Sequence, residues 1–439
     1  MYEKNITLKN LKRYSKNFNN NKTNKILKNV NTKGQFYKLI EKADYNQKNK
    51  QIFKKFIDVE SKITEQGQSG RCWLFSSLNV IRFKMIKKYK LKNFEFSEAF
   101  LFFYDKLEKA NHFINLIVKN KHLSNNDNKL VHILNEGIPD GGTWPLFKML
   151  VNKYGLIPKN NMKDLHHSGN SKELKIFLSN YLKKAAKLIR KTDNQNINNI
   201  KEQILNDCYK ILVIFLGEPP KTITWEYYST VKNKKKYNIV RNIKPTDFYK
   251  KYVPYNVNDK INLINYPCKP YYKNYNNEIS LHTDDYFNVP ISVLHDMCIK
   301  SIDSNEAVMV AVDWGKFRSR YNGFLDQNAF NYKDVFGFNN IMDKCDSLIY
   351  RTSYPNHAMT IKGYTNDKHK KNSGFYVENS HGKNSGVDGY YYMSNDWFNQ
   401  YMYGIVVDIK ILPKNIKKYI NTKTVILPYN DPFAALALQ

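Results

Sequence analysis

Apolar residues recur at a helical period in the first half of this chain and in short, separated runs in the second. From Cys72 onward, Trp73, Leu74, Phe75, Leu78, Val80, Ile81, Phe83, Met85 and Ile86 fill nearly every helical offset, the mark of a helix buried on all sides. Phe100, Phe103, Leu107 and Ile114 hold helical register across residues 97–118, and residues 171–210 read as helical with polar faces. Ile211–Leu216 reads as a short strand, after which Gly217-Glu218-Pro219-Pro220 breaks the chain. Beyond residue 300, Val308–Val312, Met359–Tyr364, Gly374–Glu378, Gly389–Met393 and Ile405–Ile411 are strand-like runs between turn residues. Helices first and strands later predict an α+β protein of two lobes.

The same pattern divides the chain. Residues 1–60, with sparse apolar positions such as Ile26, Phe36 and Phe53, form an amino-terminal arm. Residues 61–216 form a helical lobe and 301–426 a β-rich lobe. Between them 217–300, rich in Tyr, Asn and Pro, reads as an insertion suited to oligomer contacts, and 427–439 are a tail.

Composition adds a strong charge: 70 Lys and Arg against 39 Asp and Glu give +31. That balance attracts polyanions in a salt-dependent way, so non-specific nucleic-acid binding is an expectation and a basic nucleic-acid-binding protein is the alternative class. Against it, no RNP-like strand, Cys/His finger or basic zipper occurs, and the lysines are scattered apart from short runs such as Lys234-Lys235-Lys236. The excess of Lys, Asn, Ile, Tyr and Phe is also what an AT-rich genome writes.

Apolar runs such as Ile211–Leu216 are six residues long, whereas a membrane span needs about 20, so no membrane association is expected. Met1-Tyr2-Glu3-Lys4-Asn5 opens no secretory h-region, which makes the cytoplasm the expected compartment. Five cysteines without Cys-x-x-Cys or Cys/His spacing predict neither a disulfide framework nor a metal site, and leave at least one free thiol.

Candidate chemistry concentrates at Gln66-Gly67-Gln68-Ser69-Gly70-Arg71-Cys72-Trp73. A cysteine after a Gly/Ser turn and at the start of a helix meets unpaired N–H groups, which lower a thiol's pKa and favour a nucleophilic thiolate. A small core cysteine capping the helix is the plainer alternative. Gln66 has a side-chain amide able to donate to an oxyanion beside the Cys72 N–H. Ser69 is a poor rival, because the following Gly falls one position early for a nucleophile elbow. His357 opens an apolar strand, and Asn379, following the strand Phe375-Tyr376-Val377, is placed to accept its N–H as the third member of a Cys-His-Asn set.

These motifs resemble the papain-like cysteine peptidases, and among them the bleomycin hydrolase and aminopeptidase C family. The likeness rests on Q-x-x-S-G-R-C-W-x-F, H-A-M-T, V-E-N-S-x-G and Asp140-Gly141-Gly142-Thr143-Trp144. It implies a papain-like two-lobed fold with a helical lobe and an antiparallel β-barrel-like lobe. It also implies a cytosolic cysteine aminopeptidase acting on peptide substrates and bleomycin-like amides, without metal or organic cofactor, assembled as a homohexamer. Nucleophile, base, orienter and oxyanion donor fall on Cys72, His357, Asn379 and Gln66. Gly141 and Gly142 fall where bare backbone pairs with an extended substrate.

The family usually carries Trp after Asn-Ser, where this chain has His381. A smaller, titratable ring implies a less shielded His357–Asn379 bond and a lowered or pH-shifted activity. Family members also end in a similar Asp-Pro-x-x-Ala-Leu-Ala tail lying in the active-site groove. Here Leu438-Gln439 run past Ala437, which implies self-trimming at or near Ala437.

Overall fold

The computed structural model describes residues 5–31, 38, 40–45, 53–59, 61–231, 234–282, 284–320, 322–365 and 374–433. They divide into two compact units, one within 1–50 and 326–342, the other within 51–325 and 343–439. In the first unit lie helices α1 (Leu8–Asn20) and α2 (Lys22–Asn31). Thr7 caps α1, which buries none of its residues, so its apolar side (Leu8, Leu11, Tyr14, Phe18) is exposed.

The second unit is α+β, and its helical lobe begins with α3 (Cys72–Tyr89), α4 (Glu98–Lys119) and α5 (Trp144–Tyr154). It continues with α6 (Lys172–Lys191) and α7 (Ile197–Leu216). As the unbroken apolar pattern predicts, α3 is buried along all but its last turn. The run Ile211–Leu216 corrects the strand reading: it is the end of α7. Buried Ile204, Cys208, Leu212 and Leu216 recur every four residues, a helical stripe that a six-residue window cannot reveal.

The strands, in their own chain order, begin with β1 (Lys55–Phe56), which precedes α3, then β2 (Ile223–Val231), β3 (Lys234–Ile243), β4 (Lys260–Ile264), β5 (Lys273–Asn277), β6 (Tyr286–Asn288) and β7 (Val308–Val312). They are followed by β8 (Arg318–Ser319), β9 (Phe324–Leu325), β10 (His357–Thr365), β11 (Gly374–Glu378), β12 (Tyr390–Ser394), β13 (Met402–Asp408) and β14 (Val425–Leu427). β2 and β3 form a separate hairpin; the main sheet runs β14-β5-β6-β4-β13-β7-β10-β11-β12-β9-β8, with β1 also on β10. The stretch 260–288, which sequence left as an insertion, is thus built into the sheet through β4, β5 and β6.

β10 is an interior strand, antiparallel to β7 with His357 opposite Val312 and to β11 with Thr360 opposite Glu378. α3 lies against it: Ser76 Oγ donates to Met359 O at 2.5 Å, and Thr360 Oγ1 donates to Ser76 O at 3.2 Å. The helix that begins at Cys72 is therefore fixed to the strand that begins at His357.

Among the described residues no helix is long and apolar enough to cross a membrane. Cys268 and Cys345 form a disulfide with Cα atoms 5.1 Å apart, while Cys72, Cys208 and Cys298 are free and buried. The cysteine spacing gave no hint of this bridge, since its partners are 77 residues apart and belong to no local motif.

Candidate active site

Cys72 is the first residue of α3 and is 1% exposed. Burial pushes its thiol up to about 11, against the N–H groups of Ala358, Trp73 and Cys72, which favour the thiolate. Position alone led the sequence reading to expect a lowered thiol. Enclosure reverses the sign, because a charge without solvent costs more than three N–H dipoles return.

His357 Nε2 donates to Asn379 Oδ1 at 2.9 Å. Burial, and then the neighbouring His381, lower the imidazole to about 3, the Asn379 bond opposes them, and Arg318 adds to the lowering. Two rings cover the pair. His381 stacks parallel to His357 with centroids 5.0 Å apart, and Trp314 lies 5.1 Å from His357 and 6.0 Å from His381. Arg318 sits over the outer Trp314 ring at 4.3 Å. Sequence reading missed Trp314; its signal was an aromatic just past the strand that pairs with His357.

The loop before Cys72 pairs with the turn after Asn379, Gln66 N donating to Ser380 O (2.8 Å) and Gly382 N to Thr64 O (3.1 Å). This brings Gln66 into the same enclosure. Its Nε2 donates to Ser69 O at 2.6 Å, leaving one N–H free, and Oε1 is buried without a partner. Ser69 Oγ donates to Gln66 O at 2.6 Å.

Gly141 and Gly142 are buried beside the helix that Cys72 begins. A Cβ on Gly142 would lie 2.4 Å from the Trp73 ring, whose Nε1 donates to Asp140 O at 3.0 Å. The residue after Cys72 therefore requires this glycine. Below, buried Lys109 donates to Gly141 O (2.5 Å), Pro139 O (2.9 Å) and Asp105, while Lys106 pairs with Asp140. Burial holds Lys109 at about 8. These lysines were legible only as charges interrupting an apolar helical pattern.

Tyr266 OH donates to Asp431 Oδ2 at 3.2 Å, and Phe433 stacks on Tyr266 at 5.0 Å. Phe433 also lines a cavity of about 180 Å³ together with Thr143, Trp144, Ala311 and Pro355. Ala434–Gln439, including the expected trimming point at Ala437, lie outside the described residues.

Burial lowers His381 to about 4, with Arg318 and Arg320 adding to it, and burial lowers His282 to about 4 against Asp284. Both folded values lie below the free imidazole value near 6.5. Above that pH neither state binds these protons; below it the unfolded chain takes protons that the fold refuses. Stability is therefore expected to fall from about pH 6.5 to about 4, by on the order of 3 kcal/mol for each ring. Urea midpoints from pH 7.5 to 4.5 check this, and His282→Gln should flatten the slope.

A helical lobe on a large sheet, with a cysteine at a helix start against a strand that opens on a His–Asn pair, defines a thiol peptidase of papain-like fold. A model of the Peptidase C1-like family matches residues 5–434, and the chain belongs to that family. It is 33% identical over 412 residues to bleomycin hydrolase of Rattus norvegicus, covering 88% of this chain and 89% of that one. Aminopeptidase C of Listeria monocytogenes is 34% identical over 388 residues, covering 86% and 87%. The crystal structure of PepW from Lactobacillus rhamnosis HN001 superposes with a TM-score of 0.94 at 30% identity, over 98% of this chain and 99% of that one.

Proposed function

We propose that the protein is a cysteine aminopeptidase in which Cys72 is the nucleophile, His357 the base and Asn379 the residue that orients it. The observation that carries this reading is the juncture of α3 and β10. The Cys72 sulfur accepts the Ala358 N–H while the adjacent His357 has its Nε2 held by Asn379, which leaves Nδ1 for exchange with the thiol. Burial opposes either charge alone, but moving the proton from sulfur to Nδ1 creates both together, and their attraction offsets the separate penalties.

The thiolate attacks the peptide carbonyl carbon. The oxyanion takes the Cys72 N–H and the remaining N–H of Gln66. His357 passes its proton to the leaving amine, and water, deprotonated by His357, releases the acyl group and restores the thiol. The Gly141–Gly142 backbone positions the chain being cut. The alternative of a nucleic-acid-binding protein on a dead scaffold is disfavoured, since the chain keeps Cys72, His357, Asn379 and Gln66 together, which a scaffold under no catalytic demand need not retain. A homohexamer accords with the exposed apolar side of α1 and with exposed Ile176, Phe177 and Ile214 on α6 and α7.

The tail supplies the preference for free amino termini. In this reading the tail's terminal carboxylate pairs with a substrate's α-amino group. Fluorogenic amino-acid amides should be hydrolysed, and a thiol alkylator should stop it. Deleting residues 428–439 should raise kcat/KM on amino-blocked peptides relative to free ones. A deletion variant that keeps the wild-type preference would remove the tail from this account, and hydrolysis indifferent to alkylation would remove the peptidase reading.

A further inference from the structure

Resting on that reading, we infer that His381 is a positioning residue whose neutral form fixes the amide of Asn379 and whose protonation turns the site off. The amide lies between two imidazoles: Oδ1 faces His357 Nε2 at 2.9 Å, and Nδ2 faces His381 Nδ1 at 2.7 Å. An amide nitrogen only donates, so His381 Nδ1 must present a lone pair and carry its proton on Nε2. In that state both bonds agree on one orientation. Rotating the amide by half a turn would set Nδ2 against the His357 N–H and Oδ1 against the His381 lone pair, two repulsions in place of two bonds.

A proton on His381 Nδ1 inverts this preference. The ring becomes a donor on that side, calls Oδ1 toward itself, and so turns Nδ2 onto His357, which loses its acceptor. It also sets a second cation 5.0 Å from the ring that must be cationic in the thiolate–imidazolium pair.

The groups facing His381 say where this happens. His357 lies across its face, Arg318 and Arg320 approach from β8 and the turn after it, Lys383 is on its own turn, and Glu65 pairs with it by a backbone bridge. Burial, Arg318 and Arg320 all oppose the charged ring. His381 accordingly stays neutral down to about pH 4, so its protonation adds to the acid limb.

The test is the pH dependence of kcat/KM and of Cys72 alkylation by iodoacetamide in the wild type, H381Q and H381F. Gln can accept from Asn379 without titrating; Phe keeps a ring but accepts nothing. The wild-type acid limb should approach a two-proton slope in both readouts, and H381Q should show a one-proton limb. At pH 8 the kcat of H381F should be roughly tenfold below that of H381Q, the effect of about one hydrogen bond. Coincident one-proton limbs in wild type and H381Q, or equal kcat in H381Q and H381F, would overturn the switch while leaving the peptidase reading intact. A wild type that hydrolyses nothing would sink both.

Discussion

Replacing Cys72 with Ala is expected to lower hydrolysis of amino-acid amides by roughly 10⁴-fold or more, the scale of losing a nucleophile from a set that acts as a unit. Fold should be little affected, because the change removes the Ala358 N–H bond to sulfur but leaves the Ser76–Met359 and Thr360–Ser76 bonds that hold α3 to β10. Selective labelling is the companion measurement. Cys208 and Cys298 are free, but burial raises their thiols above the Cys72 value. A stoichiometric alkylator should therefore mark Cys72 first, as read by peptide mass. Undiminished turnover in Cys72→Ala would end the assignment of the nucleophile.

The second large effect is expected from Glu378, the residue before Asn379. Its carboxylate pairs with Arg82 of α3, and both side chains are buried. Lys362 of β10 lies 3.8 Å from the other carboxylate oxygen and donates to Val59 O at 3.1 Å. One carboxylate thus joins the helix of Cys72, the strand of His357 and the strand that leads into Asn379. Glu378→Leu leaves Arg82 charged and enclosed without its partner, which costs about 3–5 kcal/mol. The urea midpoint should drop accordingly, and kcat should fall more than KM rises, since Asn379 loses its anchor. Replacing both partners together, Arg82→Met with Glu378→Leu, should recover most of the stability. A single variant as stable as the wild type would show that Arg82 finds another acceptor.

The sequence exposes these two predictions unequally. Cys72 could be read because a turn, a cysteine and an apolar helix are contiguous, and His357 and Asn379 because each sits at the end of a short apolar run. The Arg82–Glu378 pair could not, because its members are 296 residues apart and each looks like an ordinary surface charge. Trp314 was hidden for the same reason: its role depends on β7 pairing with β10. The end of α7 was misread because β-branched residues filled its last turns, and only the four-residue spacing of buried positions over the whole helix tells helix from strand. The thiol's environment was misjudged because a helix start is visible in sequence, whereas enclosure by a distant strand is not.

The order of strands in the sheet bears on how the enzyme comes into being. β10 gains its neighbour β11 only after the chain has passed residue 374, and β7 is flanked on its other side only once β13 has been made. A growing polypeptide therefore carries Cys72 through most of its synthesis without an imidazole held beside it. Chains stalled or cut short before Asn379 lack the acceptor of the His357 N–H, so in the proposed mechanism the base is oriented only when translation is nearly complete.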